Sequence, residues 1–504
     1  MMNPRMPRWF RVPTPSTLFY VAVAVIATAP AWIVRYPPLE DLPFHVATLR
    51  QIHSFHDPQF DFPTNFYVNL GNTQYVLYYV VADLLSYLLG VRYASVAMIC
   101  LYLGGTPLAL RALLRAFRQD ERLSLFVIPV LFNTMFVIGL LPYLVTIPLM
   151  LVAWAVAVHD FERPTWQTAA WLALLTVAMF FGHVVMYAVF GIGFAAMFPW
   201  SQPRRWLRAG APVVPSLLCV AWWILRSPQG QESFKALGAG GQQPHAPDEA
   251  LRQIGQWTCD VFHDATDEVS WLLAAAAAAV TLALAKGSRE KTSPHVTAFA
   301  AVPIACSAFY FLTGDSLGDV WLFAQRFPLP AAITFIPFLR MPTGSRGRIA
   351  TCLVLAVVIW SVVNTCQHFV RFQLDEVGEF DEAIEKMQPN KHVAALIYDR
   401  GSHITKMAPF LHFGSYYQAD KGGVIQFSNS GALYWPVRFL EGRYPPPGRR
   451  PRLRWEWTPE QVPVSTELYP YYDYVLTRGY GFNPPEHTFR LLWRGSRWAV
   501  YARE

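Results

Sequence analysis

Apolar stretches of about 17 to 25 residues recur from position 17 to position 368, separated by short polar or basic breaks, and then stop. A helix needs about 20 apolar residues to cross the hydrocarbon core of a bilayer, so this pattern predicts a polytopic helical bundle. Spans are expected at 17–34, 91–111, 122–140, 142–158, 166–183, 184–200, 209–226, 269–286, 296–312, 326–340 and 349–368, about eleven crossings. The segment 326–340 is short and carries Pro328, Pro330 and Pro337. The run 73–89 is also short and holds Asp83, Ser86, Tyr75, Tyr78, Tyr79 and Tyr87. Between the first two spans, Leu42, Val46, Leu49 and Ile52 recur at helical spacing among His45, Arg50, His53 and His56, which predicts an amphipathic helix over 42–56 lying at the membrane surface.

Beyond residue 370 the apolar runs shorten and turn residues multiply. Val377, Phe380, Ile384 and Met387 fall on one face of a predicted helix over 376–388. The apolar runs 392–398 and 472–477 read as buried strands, and 489–501 as a hairpin turning at Gly495-Ser496. Pro445-Pro446-Pro447-Gly448 reads as an exposed loop. A small α/β domain is expected here, with no Gly-rich phosphate loop or nucleophile elbow to place catalysis in it.

Composition agrees with a membrane protein: 53% of the 504 residues are hydrophobic and 15% are charged. The net charge of +7 does not point to nucleic acid, because the excess sits in short loops where the positive-inside tendency accounts for it. Arg5, Arg8 and Arg11 precede the first span and place the N-terminus in the cytoplasm. This segment resembles a signal peptide, but the many later spans predict an uncleaved first helix. If 73–89 lies in or re-enters the outer leaflet without crossing, the clusters Arg111/Arg115/Arg118/Arg122, Arg204/Arg205/Arg208, Lys286/Arg289/Lys291 and Arg340/Arg346/Arg348 all fall inside. The expected fold is therefore membrane all-α: a bundle of about eleven transmembrane helices with outer-leaflet juxtamembrane helices, plus a small C-terminal extracytoplasmic α/β domain. Residues 1–369 form the membrane module, with a first outer loop at 35–90 and a large outer loop at 227–268, and 370–504 form the soluble domain. Five of the six cysteines lie in apolar segments and Cys259 stands alone, so no disulfide framework or CxxC metal site is indicated.

With that orientation the unusual polar residues gather on the outer side. Glu40 and Asp41 follow the first span directly, where a carboxylate could serve as a general base for a lipid-delivered substrate. Asp41 also suits the N-cap of the following helix, and both readings stand. His45, Asn133, Pro142, Tyr143 and His183 fall on the same side, as do Lys235 and Arg326, either of which could hold a lipid phosphate. Arg326 could equally snorkel to headgroups, and His183 could simply end a span. Asp260, His263, Asp264 and Asp267 have ligand-like spacing, so a divalent metal remains open, although acids before a helix also suit its dipole. No other cofactor is indicated.

Glu40-Asp41 followed by Pro43-Phe44-His45, placed directly after span one, resembles the GT-C superfamily of multispanning glycosyltransferases that use polyprenyl-phosphate sugars. The turn from Asn133 to Pro148 is similar to a Gly- and aromatic-rich segment of related bacterial membrane proteins. The resemblance implies a catalytic acid in the first outer loop and an inverting transfer from a polyprenyl-phosphate-linked sugar. On that basis Asp41 is expected to be the base and Glu40 its assistant, with His45, His183, Lys235, Arg326 and Tyr143 binding substrate. The acceptor would be a saccharide, lipid or protein of the cell envelope, with the chain in the lipid bilayer of a bacterial inner membrane and no nucleic-acid partner. A transporter or flippase of a lipid-linked saccharide, or a non-catalytic envelope scaffold, is the alternative.

Overall fold

The computed structural model describes residues 15–239, 243–285, 292–317, 320–446 and 453–504. Arg5, Arg8 and Arg11, the cluster Lys286/Arg289/Lys291 and the Pro447-Gly448 pair lie outside the described residues. The chain is mostly helical, with a small β-sheet region near its C-terminus.

Among the described residues, six helices are long and apolar enough to cross a membrane: Val91–Ala116, Leu141–Glu162, Pro203–Arg226, Thr266–Leu284, His295–Leu312 and Gly344–Glu376. Shorter apolar helices are Pro15–Ala27, Leu77–Leu89, Trp166–Gly182 and Val184–Met197. Leu141–Glu162 is the most enclosed, and its Trp154 donates from Nε1 to the Phe190 carbonyl at 3.1 Å. Peripheral helices turn Leu218, Leu225, Leu272, Ile304 and Ile359 outward, where lipid rather than water would leave them no solvation penalty. The chain is built as an integral membrane protein.

Two expected spans, 122–140 and 326–340, hold no helix longer than eight residues. Residues 122–140 form a 3₁₀ turn, Glu121–Val127, and two short helices, Ile128–Leu131 and Thr134–Ile138. Pro129 lacks a backbone donor, and Asn133 caps the next turn by accepting from the Phe136 amide, so the ladder is cut at each residue. Residues 326–340 hold only Pro328–Phe335 and a 3₁₀ turn, Ile336–Phe338, where Pro337 interrupts the α-helical bonding.

The helix Val91–Ala116 fixes the two ends of the bundle. Near its start Arg92 pairs with Asp420 of the C-terminal domain at 3.0 Å. At its other end Arg111 and Arg115 both pair with Glu121, at 2.6 and 2.5 Å, and Arg118 pairs with Glu162 at 2.7 Å. Leu77–Leu89 stays at the domain end: Thr73 just before it donates to the Tyr434 carbonyl, and Asp83 within it bonds His53 at 2.8 Å. Its thirteen residues reach only about 20 Å.

The C-terminal domain is built on a five-stranded sheet in the order Val424–Ile425, His392–Ile397, Tyr474–Arg478, Trp498–Arg503, Phe489–Arg494. The first three strands are parallel and the last two close it antiparallel. Tyr474–Arg478 is buried along its whole length, Thr477 and Arg478 included, because strands pair with it on both sides. The predicted helix over 376–388 is shorter, Phe380–Glu385, because Gly378 turns the chain at φ +62°, yet Val377, Phe380, Ile384 and Met387 are all buried.

The helix expected to lie on the membrane surface is instead sandwiched. Leu42–His53 buries nine of its twelve residues, His45 included, between the bundle and the C-terminal domain. Arg50 donates to the Ala419 carbonyl at 2.8 Å and Trp435 to the Thr48 hydroxyl at 2.8 Å. A small antiparallel pair, Phe66–Val68 with Val437–Phe439, stitches the first loop to the same domain. His45, Thr48, Arg50 and His53 therefore meet protein groups, while His56 stays exposed.

Candidate active site

The turn that carries the two acids is clamped by backbone. The Glu40 amide donates to the Val137 carbonyl and the Asp41 amide to that of Ile138, both at 2.9 Å. Gly139 follows at φ +85°, and a Cβ there would lie 3.1 Å from the Asp41 nitrogen. Glycine is needed both for the left-handed conformation and for the close approach. This explains how the broken 122–140 segment serves the site: it ends where it can hold the acidic turn.

Asp41 precedes the helix Leu42–His53 but makes no side-chain cap bond to it. Its Oδ1 instead meets His412 Nδ1 of the C-terminal domain at 3.1 Å. On the other side of the imidazole, Nε2 bonds Glu456 at 2.6 Å. The His412 ring lies over Phe44, centroids 3.8 Å apart, with Phe427 5.4 Å away. Burial opposes its charge, but the bonds to Asp41 and Glu456 outweigh burial and lift its pKa to about 10. Burial pushes the Glu456 carboxyl up, against the pull of His412. Burial pushes the Glu40 carboxyl up to about 7, even though His412 is nearby and the Ala408 amide donates to it. His45, also buried, is pushed down to about 4 and sits as a neutral ring against the Tyr79 hydroxyl at 2.8 Å.

These groups line one cavity of about 820 Å³ between the bundle and the domain. Its bundle wall includes Arg326, His183, Tyr143 and Tyr75. Arg326 Nη1 donates to His183 Nε2 at 2.9 Å, and Nη2 to the Trp321 carbonyl at 3.1 Å. The Tyr143 hydroxyl donates to the Arg326 carbonyl at 2.6 Å. Arg326 is only 8% exposed, its Nε has no partner, and no carboxylate pairs with it among the described residues. A guanidinium enclosed without a counter-charge is costly, and an anion entering the cavity would relieve that cost. His183 Nδ1 is likewise buried without a partner.

Six of the expected site residues thus share the cavity: Glu40, Asp41, His45, Tyr143, His183 and Arg326. Lys235 does not. Its helix, Pro228–Ala239, turns Gln229, Glu232 and Ser233 to the cavity, and position 235 falls on another, exposed face. Asp260, His263 and Asp264 do not converge either. Asp260 pairs with Lys406, His263 Nε2 meets the Ser402 carbonyl at 3.1 Å, and Asp264 meets His368 at 3.0 Å. The acids that approach one another are Asp260, Asp267 and Glu268, which could hold a cation, although the Lys406 ammonium already lies against Asp260.

The residues missed in sequence are His412 and Glu456. Each sits among large apolar neighbours, Phe410-Leu411-His412-Phe413 and Trp455-Glu456-Trp457, a setting in which a titratable group rarely survives without a partner. That was the available signal.

No protein-family model matches the chain, and no curated protein matches its sequence. Among solved structures, the crystal structure of ArnT from Cupriavidus metallidurans bound to undecaprenyl phosphate is similar, with a TM-score of 0.55. The match covers 97% of this chain and 98% of that chain at 11% sequence identity. From the helical bundle through the C-terminal sheet, the chain therefore has a GT-C-like fold.

Proposed function

We propose that this protein is a membrane glycosyltransferase that moves a sugar from a polyprenyl-phosphate donor to an acceptor at the domain end of the bundle, with inversion at the anomeric carbon. The observation that carries this reading is a single cavity with a buried, uncompensated Arg326 on one wall and the Asp41 carboxylate on another. Support also comes from the fold likeness to a protein whose structure carries undecaprenyl phosphate.

In this reading the donor phosphate sits against Arg326, where its charge replaces the missing counter-ion. The acceptor hydroxyl lies against Asp41, which takes its proton as the oxygen attacks the anomeric carbon. The bond from that carbon to the phosphate oxygen breaks, and polyprenyl phosphate leaves as an anion already stabilised by the guanidinium. Glu40, which accepts from the Ala408 amide, assists Asp41 rather than taking the proton.

Purified protein in lipid nanodiscs, incubated with a panel of radiolabelled undecaprenyl-phosphate sugars and envelope glycolipid acceptors, should release undecaprenyl phosphate and label the acceptor. Donor that crosses the bilayer intact, with no bond cleaved, would instead identify a flippase. No turnover and no movement with any donor would leave the scaffold reading.

A further inference from the structure

We propose that the C-terminal domain completes the active centre: His412, backed by Glu456, is a positioning residue that holds the Asp41 carboxylate in its reacting orientation. This inference rests on the transfer reading above and assigns to the domain a role that its sequence did not suggest.

Three observations support it. Asp41 leaves its helix uncapped and turns one oxygen to His412, while its other oxygen has no protein partner among the described residues. A carboxylate held at one oxygen and free at the other is restricted in rotation yet open to a hydroxyl in the cavity. His412 is itself over-determined, with the Asp41 carboxylate at 3.1 Å and the Glu40 carbonyl at 3.2 Å on Nδ1, Glu456 on Nε2 and Phe44 and Phe427 over its faces. A ring that only filled space would not need a carboxylate at each nitrogen. Finally, all members of the relay border the same cavity, so the constraint reaches the space where substrate would react.

The charged and titratable groups facing the ring come from every element around it. They are Asp41 and Glu40 from the acidic turn, His45 from the helix Leu42–His53 and Glu456 from the helix Leu453–Trp457. Arg400 acts on Glu456 from the far side. Between two carboxylates the imidazole keeps its proton until the pH approaches about 10. The relay therefore holds through neutral pH and is lost on the alkaline side.

Two measurements on the full-length protein in nanodiscs test this. In the first, histidine-labelled protein is titrated by NMR, with the His412 signal assigned by its absence in His412→Gln. The signal should stay in its protonated form from pH 6 to 9; titration near 6.5 would show that the ring is not held and would overturn the inference. In the second, the kinetics of whichever undecaprenyl-phosphate sugar is turned over are compared across variants. His412→Gln should lower kcat roughly 10²-fold, the scale of a misplaced reacting group, with KM for the donor within about twofold of wild type. Glu456→Gln should give a smaller loss and move the alkaline limb of the pH profile to lower pH, a shift that a merely structural role would not produce. Should His412→Gln fail to fold, Glu456→Gln carries the test alone. Folded variants with unchanged kcat and an unmoved limb, beside an inactive Asp41→Asn, would overturn the positioning role and leave the transfer reading intact. Full activity of Asp41→Asn, or no turnover of any donor, would overturn the transfer reading and this inference with it.

Discussion

Asp41 and Glu40 are neighbours in sequence with different surroundings, and their surroundings set their roles. Both border the cavity, but Asp41 meets the His412 ring, whereas Glu40 accepts from the Ala408 amide and burial pushes its carboxyl up to about 7. A carboxyl whose folded pKa lies above its usual 4.5 binds its proton more tightly when folded, so the native state loses stability as pH rises from about 4.5 to 7. Glu40→Gln cannot ionise. Its Tm should therefore gain on that of wild type as pH rises through this window and hold a constant offset above it, as thermal unfolding at fixed salt would show. A constant offset across the whole range would mean that folding does not raise the Glu40 carboxyl. Arg326 poses the opposite problem, a charge without a counter-charge. Undecaprenyl phosphate at about 100 times its dissociation constant should stabilise wild type by about 2.7 kcal/mol, while Arg326→Met should show little or no thermal shift at the same lipid concentration. An equal shift in the variant would place the phosphate elsewhere.

At the scale of elements, the acidic turn depends on the segment behind it more than on the helix it introduces. Gly139→Ala puts a side chain at φ +85° and presses a Cβ toward the Asp41 nitrogen. This should cost about 1–2 kcal/mol and lower sugar transfer by more than the stability loss explains, because the carboxylate moves with the turn. A variant with reduced Tm and full transfer would uncouple the two. This segment also marks the limit of what the sequence disclosed. Long spans such as Leu141–Glu162 and Gly344–Arg371 were legible because an unbroken apolar run of that length has few other uses. Residues 122–140 were equally apolar, so composition could not show that Pro129 and Asn133 cut them into turns. The polar pattern of 42–56 suggested a water-facing side, but most of those polar groups bond protein: His45 meets Tyr79, Thr48 meets Trp435 and Arg50 meets Ala419, with His56 alone exposed.

Across the whole molecule, the site is assembled from segments far apart in the chain. Position after the first span made Asp41 and Glu40 legible, and being polar within apolar runs did the same for His183 and Arg326. The contact of Asp41 with His412 was not, since nothing local marks a partner that lies beyond the last membrane helix. The same assembly makes a topological prediction. The ion pairs of Arg111, Arg115 and Arg118 lie at one end of the bundle and the sheet at the other, and the positive-inside tendency assigns the first to the cytoplasm. Single cysteines replacing the exposed Arg163 and Glu486 in a cysteine-free background should differ: an impermeant thiol reagent added outside should label position 486 and spare 163. Labelling of 163 from outside would invert the orientation and place the cavity on the cytoplasmic face.

The central claim is that the carboxylate of Asp41 accepts a proton during sugar transfer, and turnover by Asp41→Asn tests it most directly. Asparagine preserves the shape and can still bond His412, but it has no basic oxygen. With an undecaprenyl-phosphate sugar that wild type turns over, the folded variant should lose roughly 10²- to 10⁴-fold in kcat while still binding the donor. Turnover by Asp41→Asn at close to the wild-type rate would contradict the account.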